Sequence, residues 1–168
     1  MTEPALQVAP DLDLARSMFG ELERNTRIGR GITRDTYGPG ENFAHQLAER
    51  VARALGLEVA RDAALNLYMT LPGRRRDLPR FITGSHLDSV PEGGKYDGAA
   101  GVVAGLSAIA GIKAQGIVPH PDVIQGHGQL PHHGHQDPPC HTFMAGLLGL
   151  VPGTDAALLH QPQDRKIE

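Results

Sequence analysis

A single cysteine, Cys140, stands in 168 residues, which excludes an internal disulfide framework and suits a reducing compartment. Long apolar runs are missing as well. Met1 to Asp13 carries Glu3, Pro4, Pro10 and Asp11 where a leader peptide would need an uninterrupted apolar segment, so a cytoplasmic location is expected. Positive charge is scarce: 16 Lys and Arg against 19 Asp and Glu give a formal net charge of −3. That balance argues against nucleic acid or a membrane surface as partner. Arg74-Arg75-Arg76, just after Pro72-Gly73, reads as a solvated hairpin tip rather than a phosphate reader. Neither Gly-x-Gly-x-x-Gly nor Gly-Lys-Ser/Thr occurs, although Gly98 to Gly105 superficially resembles a dinucleotide loop. Gly-x-Ser-x-Gly is missing too, which weakens any serine-hydrolase reading of Ser85 and Ser89 beside His86. Finally, no glutamate lies between Glu92 and Glu168.

Against these absences, the stretch from Thr83 to Gly98 is dense in chemistry. Phe81-Ile82-Thr83 reads as a buried strand, and Gly84 lets the backbone turn where His86 leaves its end. His86 offers an imidazole nitrogen, Asp88 can hold that ring by accepting its other N–H, and Asp97 offers a carboxylate able to bridge two cations. The plain alternative is a loop in which Asp97 serves as N-cap of a helix beginning near Ala99.

The run Gly84-Ser85-His86-Leu87-Asp88-Ser89-Val90-Pro91, with Gly93-Gly94 and Asp97-Gly98, resembles the first metal motif of M20-type metallo-amidohydrolases, specifically the hydantoinase/carbamoylase branch. The likeness reaches upstream through Gly31-Ile32-Thr33-Arg34, Tyr37-Gly38-Pro39-Gly40-Glu41, Leu55 to Val59 and Asp62 to Leu67, covering roughly residues 14 to 123. It implies an α/β fold: the N-terminal part of a zinc-peptidase-like α/β sandwich. It also implies hydrolysis of C–N bonds in N-carbamoyl-L-amino acids or allantoate, with two divalent cations per complete site (Zn, Mn, Co or Ni). His86 then corresponds to a ligand of one metal, Asp97 to the bridging carboxylate, and Asp88 to the residue behind the imidazole. Full-length members are homodimers through an inserted domain for which this chain has no counterpart. An M20 metallopeptidase or aminoacylase, or a non-catalytic metal-binding remnant, is the alternative.

Apolar spacing predicts a helix through Leu14, Met18, Phe19 and Leu22, and a second through Phe43, Leu47, Val51 and Leu55, capped by Gly56. Alternation predicts strands over Leu57 to Arg61 and Leu65 to Leu71 about an Asp62-Ala63-Ala64 turn. A mostly buried helix is expected from Ala99 to Ala114, closed by Gly116. His45 reads as a surface residue of the second helix, and His120, between two prolines, as solvent-exposed. A further strand should begin at Val123-Ile124, but Gln125-Gly126-His127 and the proline-rich text after it are expected to stop it. The organisation expected is therefore a partial catalytic domain over 1–123 and a weakly ordered His/Pro-rich tail over 124–168. In the family the next strand ends in paired glutamates, one the general base and one a ligand, and nothing here matches them. A reading-frame shift, a new soft-metal tract using His132, His133, His135, Cys140 and His141, and a plain disordered tail all account for that text.

Overall fold

The structure, a computed structural model, describes residues 7–127. The readings that fall on the text beyond residue 127 lie outside the described residues.

Helix α1 (Leu12–Thr26) starts at Asp11, whose carboxylate accepts the Leu14 N–H at 2.9 Å, and buries Met18 and Leu22 on one stripe. A short antiparallel hairpin follows, β1 (Arg27–Ile28) and β2 (Gly31–Ile32). Helix α2 (Pro39–Ala54) opens with Pro39, whose missing N–H costs nothing in the first turn. It ends at Gly56, which takes φ +70° and donates to Arg53 O at 2.9 Å, as its sequence position predicts.

Strands β3 (Glu58–Arg61), β4 (Leu67–Leu71), β5 (Phe81–Ser85) and β6 (Val123–His127) form one sheet in the order β3-β4-β6-β5. The β3–β4 and β4–β6 pairs are antiparallel, whereas β5 and β6 are parallel. Helix α3 (Ala99–Ala114) crosses between that parallel pair, as such a connection requires. Leu67, Met69 and Leu71 of β4 register with His127, Gln125 and Val123 of β6, so these six share one face of the sheet. α2 and α3 pack on the sheet, and α1 packs on both helices. The core lies between these layers, built from Leu22, Leu47, Met69, Val102, Leu106 and Ile109.

β6 corrects the expectation that the strand stops after Ile124. Gln125, Gly126 and His127 are poor strand formers, but they are flanked on both sides by complementary ladders. Pairing with Met69 to Leu67 and with Thr83 to Ser85 decides the conformation over local preference. After β6 the next proline is Pro131, beyond the paired segment.

Close approach of α3 to the sheet depends on its glycines. A Cβ on Gly101 would stand 2.5 Å from Ser85 Cβ at the end of β5. Gly101→Ala is therefore expected to lose about 1 to 3 kcal/mol in urea unfolding by overpacking. Gly94→Ala, with nothing within 4 Å of the added carbon, should stay within about 0.5 kcal/mol of the parent. Equal stability of the two variants would show that α3 does not depend on this close approach.

Candidate metal centre and active-site loop

Residues 86–98 leave the C-terminal end of β5 and return to the start of α3, where a parallel β-α-β unit places ligand-binding loops. The His86 side chain keeps 48% of its surface open to solvent. Its Nδ1 lies 2.8 Å from Asp88 Oδ1, and the other Asp88 oxygen accepts the Thr36 hydroxyl at 2.9 Å. An Nδ1–H donated to a carboxylate leaves Nε2 with the lone pair, the arrangement that a metal-binding histidine needs. Burial pushes the Asp88 carboxyl up, but hydrogen bonds from Thr36 and His86 outweigh it and hold the group below the usual carboxylate range. Asp88 is the anion that this role requires.

Asp97 sits at the other end of the loop, its Oδ2 accepting the Val90 N–H at 3.0 Å. It does not cap α3. Gly98 holds the N-cap position at φ +62° with no side-chain cap. A Cβ there would lie 2.5 Å from His86 Nδ1 and 2.7 Å from the His86 carbonyl, so only glycine lets the chain pass beneath the imidazole.

The loop is held from below by Arg34, which is fully buried. Its Nε donates to Leu87 O and its Nη2 to Asp97 O, each at 2.5 Å, so one guanidinium ties the two ends of the loop together. The backbone adds Arg34 N–H to Ser89 Oγ at 3.0 Å and Ser89 N–H to Arg34 O at 2.9 Å. Burial lowers the Arg34 pKa, and the neighbouring Asp97 and Asp88 charges offset only part of this. Arg34→Met would leave two carbonyls without donors, for an expected loss of about 2 to 4 kcal/mol. Faster proteolytic nicking between residues 86 and 98 should accompany it. A variant as stable and as resistant as the parent would remove Arg34 from this role.

A second group lies beneath the loop. Glu41 and His45 stand one turn apart on α2, and His127 ends β6. One ligand atom from each falls within 4.8 Å of the others. Glu41 Oε1 is 3.8 Å from His45 Nε2 and 3.9 Å from His127 Nε2, both beyond hydrogen-bonding range. The two imidazole rings meet edge to face with centroids 3.9 Å apart. His45 is thus buried, not a surface residue: α2 turns this stripe toward the sheet, and the end of β6 covers it. Burial lowers the His45 pKa, with Arg61 adding to the effect, and pushes His127 down to about 3, with His45 contributing. Both rings are therefore neutral near pH 7. Desolvation raises Glu41 against the opposing Tyr37 N–H bond. The Glu41/His45 spacing at i, i+4 was the available sequence signal, since it puts two ligands on one helix face.

Helices on a mixed sheet, with a His-x-Asp and Asp-Gly loop at the end of a parallel strand pair, are features to set beside proteins of known structure and activity. Over about half its length it is homologous to amidohydrolases of the hydantoinase/carbamoylase type, and the solved structures agree. The N-carbamoyl-L-amino-acid amidohydrolase of Paenarthrobacter aurescens is 41% identical over 88 residues, which is 52% of this chain and 21% of that protein. Ureidoglycolate hydrolase of Arabidopsis thaliana is 35% identical over 88 residues, 52% of this chain and 18% of that protein. A hydantoinase/carbamoylase family amidase from Burkholderia ambifaria superposes with a TM-score of 0.68 at 29% identity, covering 74% of this chain and 30% of that one. The chain therefore spans about a fifth of the length of these curated relatives. No family model matches the sequence. Among the described residues, no helix is long and apolar enough to cross a membrane.

Proposed function

We propose that this chain carries part of the active site of a metal-dependent hydrolase acting on linear amide or ureido C–N bonds, of the N-carbamoyl-L-amino-acid or allantoate type. The observation that carries the reading is the His86 imidazole held by Asp88, with Nε2 left as the ligand nitrogen at the mouth of a parallel strand pair. The donor set fits a borderline divalent cation such as zinc, manganese, cobalt or nickel: a neutral imidazole backed by a carboxylate, and a second carboxylate on Asp97. Such a cation, when bound, supplies Lewis-acid polarisation of the carbamoyl oxygen and a water acidic enough to ionise near neutral pH.

The chain's own residues act around that chemistry. His86 and Asp97 would hold the cation, two ions being expected for a complete site. Asp88 accepts the Nδ1 proton of His86 and keeps the ring in its ligating tautomer. Arg34 fixes the spacing of the loop ends through Leu87 O and Asp97 O. The proton of the attacking water must pass to the leaving amine through a carboxylate, and no glutamate follows Glu92 before Glu168 to match the family position. The peptidase alternative receives less support, because the named relatives act on carbamoyl amino acids and ureidoglycolate.

Ammonia release from a panel of N-carbamoyl amino acids and allantoate, measured at high protein concentration with each of the four metals, tests the proposal. Slow release above a chelated blank, lost in Asp97→Asn and His86→Ala, is the expected result. Release indifferent to chelator and to both substitutions, or none for any substrate, would overturn it.

A further inference from the structure

We infer that Glu41, His45 and His127 form a second, buried binding site for one divalent cation of the zinc class, set between α2 and the end of β6 and separate from the His86/Asp97 loop. Two imidazoles and one carboxylate are a donor set that zinc accepts, with a fourth position left for water. Ligands about 2.0 to 2.2 Å from a tetrahedral ion lie about 3.3 to 3.5 Å from one another. The observed 3.8 and 3.9 Å from Glu41 Oε1 to the two Nε2 atoms need only a contraction of a few tenths of an ångström. In hydrogen-bonding terms these distances are too long, so the three side chains do not satisfy one another as they stand.

The orphaned atoms supply the independent observation. Among the described residues, both ring nitrogens of His127 and Nδ1 of His45 are buried without a hydrogen-bond partner. The side chains of His127, His45 and Glu41 keep 3%, 9% and 10% of their surface. Buried imidazole nitrogens facing a carboxylate, with no donor or acceptor in reach among the described residues, are costly unless something occupies the space between them. Glu41 is also prepared on its far side: Oε2 accepts the Tyr37 N–H, which leaves Oε1 as the oxygen aimed at both histidines. Tyr37 takes φ +59° in doing so, a conformation that a non-glycine residue adopts rarely. None of the three residues belongs to the loop, so the site stands whether or not the loop is active.

The full chain, stripped with chelator, would be titrated with zinc in competition with a chromophoric chelator, and with cobalt to record its d–d absorption. Beyond any cation taken up by the loop, one equivalent that raises Tm should bind in the parent, and it should persist in His86→Ala with Asp97→Asn and in a variant with His132, His133, His135 and His141 replaced by alanine. Affinity should fall at least about tenfold in His127→Gln and in Glu41→Gln, the scale of losing one ligand. If either variant fails to fold, histidine ring 15N spectra of the parent decide: zinc must shift the Nε2 signals of His45 and His127. Unchanged affinity in both variants, loss of binding in the alanine variant, or unmoved His45 and His127 signals would each overturn the site and leave two neutral imidazoles in edge contact.

Discussion

Turnover of N-carbamoyl amino acids or allantoate by this chain is expected to stay below about one per second, the low end of ordinary enzymes. Loss of one positioned acid–base group typically removes about 10²- to 10⁴-fold of rate. Here the glutamate that would serve as base has no counterpart, because none occurs between Glu92 and Glu168. The second of the paired glutamates, a metal ligand in the family that the chain resembles, has no counterpart either, and the nucleophile depends on the metal that it would hold. The loop itself is well supported, since Asp88, Arg34 and Gly98 hold His86 and Asp97 in place. Slow chemistry is therefore expected rather than a misplaced ligand. Ammonia release faster than about one per second, abolished by Asp97→Asn, would show that another segment or a partner chain supplies the base.

Acid should destabilise the fold through His127. In the native state the ring titrates at about 3, against 6.5 for an unperturbed imidazole, because burial disfavours its charged form. Above pH 6.5 neither state binds the proton and the group contributes nothing. Between 6.5 and 3 the unfolded chain binds it and the native chain does not, so stability falls as pH falls through that window. The full effect is on the order of 3 to 5 kcal/mol. His45, lowered by burial, acts in the same direction. Glu41, raised by burial, acts in the opposite one, taking up its proton in the native state first and so offsetting part of the loss. Urea unfolding at about pH 7.5 and about pH 5, in chelator, should show a steep decline in the parent and a shallower one in His127→Gln. Parallel declines would rule out this origin.

The helices and three of the four main strands were legible because local pattern and tertiary role coincide in them. Met18 and Leu22, or Leu67, Met69 and Leu71, show their buried face in their spacing alone. The loop was legible for a related reason: His86 and Asp88 are two residues apart, and their contact is local. β6 was not, since its conformation is imposed by partners 42 or more residues away. His45 was misread for the same cause. Its stripe of α2 looks mixed, with Glu41 and His45 among alanines, and only the arrival of His127 makes it interior. Asp97 as a helix cap was a sound local option that Gly98 displaced, because the left-handed turn beneath His86 needs a residue without Cβ.

The sheet order sets a sequence of events during synthesis. β3 and β4 are neighbours in the chain and can pair as soon as Leu71 has left the ribosome. Phe81–Ser85 must wait, because its partner in the sheet is Val123–His127 and all of α3 lies between them. Until then the nascent chain exposes one unpaired edge on β4 and a lone strand, a state open to wrong pairing. The imidazole at the tip of β5 is thus carried on a strand that cannot join the sheet before β6 is made. A ribosome paused before residue 123 would hold every residue of the loop and still lack β6, the strand that joins β5 to the sheet.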